Sequence, residues 1–537
     1  MMKNPKHVLF GMLAVLAVLF LTGCDNKDNP VRTSLNVDTS TLTLAVGESA
    51  TRTATTKAQW DYQITYTSSN PAVATVDQTG KVTAVSEGEA VITVSMAESI
   101  KSWYAAATLT YNVVVKKAGN TPAPVVAVTD LSMVDCAGNA RATMSTANCY
   151  MVHTAGNYKL PLVYGNAIKN GADNTLAYKP GATTSTTYCA NFVNHAGTAI
   201  NAPWITKATT GTGADKGMGI VVSTAELLWQ DAQGLVTAVG IDGDYLTLTV
   251  GKDAATQEGN AVIAAKDAGG NIVWSWHIWV TKETFADATL TTVTTGTGTL
   301  GIDYQVYKVT PVNLGWVATT TDKKQGYAPY YQWGRKDAFI PSTGSGNTNH
   351  TVYNLAGTAI ADMTYDDSTT PTIADNIKNP TKLYYYSTTS GPCDTQYYNM
   401  WDARQTAATG NIKTATVKTV YDPCPAGFCV PTDNLYRFMG NGGSRSDSNW
   451  DGTNKGKTWQ QTTYSTNTTG PDLYFPASGC RFGNSGTLSN VGSYGYCWSA
   501  SPQGIYGGYD LLFGSGNWYW DSKGRADDFP VRAVAEE

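Results

Sequence analysis

The segment "NIVWSWHIWV", Asn271 to Val280, leaves a folding chain few options. On an extended backbone Ile272, Trp274, Trp276 and Ile278 point to one side, and Val273, Ser275, His277 and Trp279 to the other. Apolar bulk on both sides predicts a strand covered on both faces. His277, set between tryptophans, is expected to be a hydrogen-bonded structural histidine. Asp267-Ala268-Gly269-Gly270 supplies a turn before it, so the strand should return against "GNAVIAAK" as a hairpin. The rest of the chain has the same bias. Only 15% of residues are charged while 11% are aromatic, with 31 Tyr and 15 Trp, and the 52 Gly suit turns and bulges. A chain of 537 residues exceeds one ordinary core and predicts three or four domains. The expected fold class is mostly β with a C-terminal α+β domain.

Several functions are disfavoured by what the sequence lacks. Net charge is −5 with no basic block, so the positive patch that phosphates require is missing and no nucleic-acid partner is expected. Five His in the whole chain leave little material for a His-rich metal centre. No nucleophile elbow, H-E-x-x-H or P-loop occurs. Asp366-Asp367 and Asp527-Asp528 are acid pairs, but neighbours on a strand point apart, whereas acid–base catalysis needs carboxylates converging across a cleft. The expectation is a non-enzyme without cofactor or metal.

The N-terminus carries an export signal. Lys3 and Lys6 precede "VLFGMLAVLAVLFL", Val8 to Leu21, which is short for a membrane span, and "LTGC" follows, ending in Cys24. This resembles a bacterial lipobox, which implies a signal peptide over 1–23, lipidation of Cys24 and a tether over 24–33. Its "DNKDNP" resembles the surface-export signals of Bacteroidetes lipoproteins, so the expected location is the outer membrane, lipid-anchored and exposed on the cell surface. Eight cysteines remain: Cys136, Cys149, Cys189, Cys393, Cys424, Cys429, Cys480 and Cys497. Eight thiols allow about 105 pairings, and "CPAGFC" lacks the second ligand pair of a zinc site. Buried thiols or occasional bridges, rather than metal ligands, are expected.

Residues 34–117 read as short alternating strands. "SLNVDTSTLTLAVGESA" places Leu42, Leu44 and Val46 on one face before a turn at Gly47. "SSNPAVATVDQTGKVTAVSEGEAVITV", Ser68 to Val94, closely resembles the bacterial immunoglobulin-like domain, group 2. The resemblance implies a β-sandwich spacer or adhesive module, with Asn70-Pro71 turning, Val73 and Val76 in the core, and Gly80 and Gly88 at hairpins. "AGNTPAPVV", 118–126, is a Pro-interrupted linker. Residues 127–285, which include the Trp-rich strand, resemble the second β-sandwich-like module that precedes lectin-like domains in Bacteroidetes surface proteins.

From 301 to 537 the landmarks are "VNLGW", "YYQWGRKDAFIP", "VYDPCPAGFCVPT", "LYFPASGCRFGNSGTLSNVGSYGYCWSASP" and "FPVRAV". Together they resemble the major paralogous domain named for Fibrobacter succinogenes, which implies a C-type-lectin-like fold. Thr432 is a candidate N-cap for "DNLYRFM", with Leu435, Phe438 and Met439 on one helical face, and Trp498 and Phe513 are expected core anchors. The relatives that generate formylglycine use cysteine and copper chemistry, but here the late cysteines Cys480 and Cys497 occupy frame positions and read as substitutions. The Glu-Pro-Asn and Gln-Pro-Asp triplets of calcium-dependent sugar lectins are missing.

The closing stretch also resembles the tails of lectin-like proteins that retroelements diversify, where Asn codons are randomised at their first two bases. That set lacks Trp, Gln, Lys, Met and Glu. Ala500, Ile505, Tyr506, Gly508, Asp510, Leu512, Gly514, Tyr519, Asp521, Ser522, Gly524, Asp527 and Pro530 depart from the frame within the set; Trp518 departs outside it. Alternation in "YDLLFGSGNWYWD" predicts Tyr509, Leu511 and Phe513 inward and Asp510, Leu512 and Gly514 outward. Tyr506, Trp518 and Tyr519 are expected as exposed aromatics, and Phe513, Arg525, Phe529, Val531 and Arg532 as frame. The expected ligand face is these frame-departing positions through Asp527, Trp518 included. The implied function is an adhesin or receptor for a protein or glycan on another cell, phage or host surface. The competing readings are a structural cell-surface or pilus-associated subunit and a glycan-binding accessory of polysaccharide uptake.

Overall fold

The computed structural model describes residues 32–116, 128–179, 192–296, 302–361, 363–368, 371–385, 397–405, 415–440, 444–446, 449–459, 468–504 and 506–537. The signal peptide, Cys24, most of the tether, the 118–126 linker, Cys189, Cys393 and Ile505 lie outside them. Among the described residues no helix is long and apolar enough to cross a membrane. The chain is mostly β and divides into two compact units, Met1–Val126 and Ala127–Glu537.

The first unit has seven strands: β1 (Leu42–Ala45), β2 (Ser49–Thr51), β3 (Ile64–Ser68), β4 (Ala74–Val76), β5 (Lys81–Ala84), β6 (Gly88–Met96) and β7 (Ala107–Lys116). They form a four-stranded sheet ordered β1-β7-β6-β3 and a three-stranded sheet ordered β2-β5-β4. Period-two burial explains the sandwich: Ala90, Ile92, Val94 and Met96 of β6 and Tyr111, Val113 and Val115 of β7 point inward. Val73 is in the core and Val76 packs on its edge, as the sequence implies. Val46 departs from its expected place. It follows β1, where the chain already turns into Gly47 (φ 90°), and is exposed. Gly80 is needed for a close approach: at φ +83° a Cβ there would stand 2.2 Å from the Arg52 carbonyl oxygen.

In the second unit, strands Thr224–Gln230, Gly259–Lys266, Ile272–Val280 and Cys149–Val152 form one sheet in that order. The Asp267–Gly270 turn joins the middle pair as a hairpin, and every residue from Val273 to Val280 is buried. The two-faced burial expected of this strand is therefore present. Beyond residue 301 the sheets are short, and the helix Asp433–Met439 has Thr432 as N-cap. The Thr432 hydroxyl, however, pairs with the Tyr307 hydroxyl (2.8 Å) and does not cap the helix amides. Leu435 and Met439 are fully buried and Phe438 packs at the margin of the same cluster. The stretches 127–285 and 301–537, separate in the sequence reading, contribute jointly to one hydrophobic core, in which Trp274 stacks on Tyr421 (5.9 Å).

His277 sits in that shared core within a continuous polar chain. Asn260 donates from Nδ2 to Asp231 (2.8 Å) and to the Gly315 carbonyl (2.9 Å), which turns its Oδ1 toward His277 Nε2 at 2.9 Å. The imidazole must then carry its proton on Nε2, leaving Nδ1 to accept from the Tyr331 hydroxyl at 3.3 Å. Burial pushes the His277 pKa down to about 3 and the Asp231 carboxyl up to about 6. This histidine is structural. Cys136, Cys149, Cys424, Cys429, Cys480 and Cys497 are buried free thiols. No group of three His, Cys, Asp or Glu is placed to hold a metal ion among the described residues.

Candidate functional site

The C-terminal tail is held by two buried arginines. The Arg525 guanidinium donates to the carbonyls of Gly507 (3.1 Å), Tyr397 (2.9 Å) and Gly504 (3.3 Å) and lies 4.3 Å over the Trp333 ring. Arg532 donates to Asn313 Oδ1 (2.8 Å) and to the Pro311 and Tyr474 carbonyls (both 2.9 Å), 4.2 Å over the Phe475 ring. The planar donor fork lets one buried side chain satisfy several backbone carbonyls. Phe529 stacks between Trp498 (4.2 Å) and Tyr496 (4.6 Å). With Phe513 and Val531 fully buried, every residue expected in the frame is in the core.

On this frame strands Ser444–Ser446, Asn517–Gly524, Gly507–Phe513 and Gly495–Gln503 form a sheet in that order. Register assigns its faces. Leu511 pairs with Trp520 and Phe513 with Trp518, so these four share the face covered by the helix Asp433–Met439. There Tyr509 stacks on Trp520 at 4.7 Å, and Arg437 lies 3.7 Å over the same indole. The opposite face carries Gly508, Asp510 and Leu512, with Tyr519, Asp521 and Lys523 across from them.

Accessibility divides the expected ligand residues. Tyr506 is exposed (38%), Gly524 is exposed, and Tyr519, Asp521 and Ser522 are half-buried. Tyr519 and Asp521 share the face opposite the helix, with Tyr519 paired to Ser444 of the outer strand, whereas Ser522 pairs with Tyr509 on the helix side. Tyr506 lies just before the strand Gly507–Phe513, and its carbonyl accepts from the Arg525 amide (2.9 Å) beside Gly524. Leu512 is half-buried and packs on the main core, and half-buried Asp527 accepts from the Gly483 amide (2.7 Å). Ala500, Gly508, Asp510, Gly514 and Trp518 are buried, contrary to expectation. The register Phe513↔Trp518 turns the Trp518 indole inward, against Phe475 (5.5 Å) and Trp459 (5.8 Å). Gly508 is a packing glycine, since a Cβ would stand 2.5 Å from Trp333, and Gly514 likewise abuts Tyr494 (2.9 Å). Ala500 lies beneath the "CVPT" segment, donating its amide to the Pro431 carbonyl (2.7 Å). The two-face alternation of the strand is as expected, but both faces are covered over much of its length.

Asp510 is the most unusual of these residues. It is fully buried, and neither carboxylate oxygen has a hydrogen-bond partner. Burial, with the Asp521 carboxylate directly across the strand pair, pushes its carboxyl well above the usual range. Asp521 pairs instead with Lys523. Lys523 is an addition to this face that the sequence does not single out, while Arg437 stays on the helix side over Trp520. Lys falls outside the restricted codon set, so a search for diversified positions skips it, yet alternation with Asp521 puts Lys523 on the same face. The resulting surface combines aromatic, acidic and hydroxyl groups.

Residues 31–105 match the bacterial Ig-like domain (group 2). No curated protein matches the chain. Among solved structures, domains 4–9 of the surface layer protein SbsC align at 18% identity, covering 50% of this chain and 34% of that one, with a TM-score of 0.14. The chain thus spans about a third of that structure's length. A Bacteroides ovatus glucan-utilisation protein, SGBP-B, solved with a mixed-linkage heptasaccharide, aligns at 11% identity over 61% of this chain and 67% of that one, with a TM-score of 0.13. Chicken VE-cadherin EC1-2 aligns at 13% identity over 45% and 98%, with a TM-score of 0.12. The family match and the two-sheet sandwich agree: the chain carries a bacterial Ig-like domain of group 2 at residues 31–105.

Proposed function

We propose that the chain is a non-catalytic adhesin or receptor, anchored to the outer membrane through lipid on Cys24 and binding a protein or glycan through a C-type-lectin-like C-terminal region. The observation that carries the reading is the division of the tail. The frame residues Arg525, Arg532 and Phe529 are buried, while Tyr519, Asp521 and Ser522 on the strand Asn517–Gly524 and Tyr506 in the turn before Gly507–Phe513 stay accessible. A rigid sheet presenting tyrosines and short polar side chains costs little ordering entropy on binding. The Ig-like domain supports an extracellular setting, since such sandwiches serve as spacers. A glycan array and whole-cell adhesion assays with the purified chain test the reading. A variant combining Tyr506→Ala, Tyr519→Ala and Asp521→Ala should lose the captured ligand while keeping its urea midpoint. Full retention of every interaction by that variant would remove the site from consideration.

A further inference from the structure

One end of the Ig-like unit exposes its largest apolar side chains. Trp60 is 61% exposed, Ile100 62% and Trp103 53%, and Tyr62, two residues after Trp60, is exposed as well. Grouped apolar exposure of this kind marks a contact surface. The segments that carry these residues are tied together. The Ser99 hydroxyl lies 2.6 Å from both the Trp60 carbonyl and the Asp61 carboxylate, and the Lys101 amide donates to the same carboxylate (3.1 Å). The Gln59 and Trp60 amides donate to the Ser102 hydroxyl (both 3.0 Å). The Trp103 amide donates to the Ile100 carbonyl (3.2 Å), which closes the turn between them. Trp60, Ile100 and Trp103 therefore stand on one joined pair of loops.

The course of the chain says what lies at this end. The turn belongs to the connection between β6 and β7, whose register brings Met96 opposite Ala107. From Ala107, β7 runs about 30 Å to Lys116 at the usual strand rise, so the chain leaves the unit at the opposite end. The N-terminal segment arrives at the aromatic end. Arg32 pairs with Tyr104, the neighbour of Trp103, and the Ala105 amide donates to the Arg32 carbonyl (2.7 Å). Cys24 precedes Arg32 by eight residues. Whatever its path, a link of that length reaches no farther than about 28 Å. The inference rests on the proposed lipidation of Cys24: a bilayer that holds this lipid lies within that reach of Trp103 and its neighbours.

The side chains suit that neighbour. Tryptophan and tyrosine favour the headgroup layer, where the ring meets hydrocarbon while its N–H or O–H stays wet. Ile100 adds an aliphatic group, which gains by leaving water for hydrocarbon. The exposed charges nearby are nearly balanced, Arg32, Lys57 and Lys101 against Asp61 and Glu98, so apolar insertion rather than attraction to anionic lipid carries the contact. A short tether holds the loops near the surface at an effective concentration of about millimolar, so a weak intrinsic affinity suffices. We infer that this end of the Ig-like domain docks on the membrane that carries the Cys24 lipid, with Trp60, Ile100 and Trp103 entering the headgroup boundary.

The test uses the purified full chain with its lipid, reconstituted into vesicles of phosphatidylethanolamine and phosphatidylglycerol with or without dibrominated acyl chains. Bromine quenches tryptophans that touch the bilayer, and Trp60 and Trp103 are the exposed tryptophans among the described residues. Brominated lipid should quench the red-edge emission of the wild type. Combining Trp60→Phe with Trp103→Phe should remove the quenched component, which assigns it to these two rings. Ile100→Asp keeps both fluorophores, sets a charge between them and should abolish the quenching. Val221→Asp, at an exposed valine of the second unit, should leave it intact. The inference is overturned by a wild type that is not quenched, by quenching that survives the double Phe variant, or by equal losses in Ile100→Asp and Val221→Asp. An unquenched wild type that sediments as a dimer, and as a monomer with Ile100→Asp, would assign the surface to a second copy instead. The mass of the N-terminal peptide reads acylation separately. An acylated Cys24 without quenching removes the docking and leaves the anchor standing, whereas an unmodified Cys24 removes both.

Discussion

Replacing Asp510 with asparagine removes a titratable group that the fold holds in its neutral form. The side chain is fully buried, without a hydrogen-bond partner, across the strand pair from Asp521 and with Lys523 already paired to that residue. Its folded-state carboxyl therefore stays protonated well above the usual carboxylate range, chiefly because burial penalises the anion. The folded chain then binds more protons than the unfolded chain. The stability this proton supplies is fully present below the unfolded pKa of about 3.9 and is lost as pH rises toward the folded pKa. Within that window the wild type should lose about 1.4 kcal/mol per pH unit relative to Asp510→Asn, which does not titrate. Urea unfolding at pH 4, 5, 6 and 7, followed by tryptophan fluorescence, measures the gap. The signal reports mainly the second unit, because the first holds only Trp60 and Trp103, both exposed. The two proteins should be close at pH 4, with the asparagine variant increasingly the more stable above it. A gap that does not change with pH, or a wild type more stable at pH 7, would show an ionised and paired Asp510 and refute the reasoning.

Three further outcomes follow from the packing. Trp518→Ala, emptying a fully buried site among Phe475, Phe513 and Trp459, should cost about 3–5 kcal/mol in urea unfolding, whereas Tyr506→Ala should change stability by about 0.5 kcal/mol or less. Long-range nitrogen–proton spectra should find His277 neutral and protonated on Nε2 at pH 5. Since burial lowers its folded pKa to about 3, the stability it carries is complete above its unfolded pKa, about 6.5, and lost as pH falls below it, by about 1.4 kcal/mol per unit. Gly80→Ala should cost the Ig-like domain about 1 kcal/mol or more, because the positive φ and the Arg52 carbonyl both oppose a Cβ; a shift in its melting temperature measures this, and an unchanged one would count against the close approach.

Strand identity, facing and much of the core were legible in the sequence, because period-two alternation and Gly turns are local properties. "NIVWSWHIWV" announced a strand buried on both faces, and "DNLYRFM" a short helix with one apolar side, and both are present. The frame of the tail is legible only through its resemblance to diversified lectin-like tails, in which the positions of Arg525, Phe529 and Arg532 stand as frame, and all three are buried. Exposure was another matter. In the sequence Asp510 and Trp518 read as surface positions, since a charge or a departure from the frame suggests exposure, yet what covers a residue is set by segments distant in sequence. Trp518 faces inward because its register partner is Phe513 and because strands 456–459 and 473–476 bring Trp459 and Phe475 over it. The cavity lined by Gln325–Tyr327, Ser342–Ser345, Thr453–Lys455 and Pro476–Ser478 joins loops far apart in the chain and has no local signature at all. The sequence by itself determined which residues extend, turn and alternate. Tertiary structure alone decided which faces of the tail strands are covered, because burial there depends on what long-range chain closure places against them.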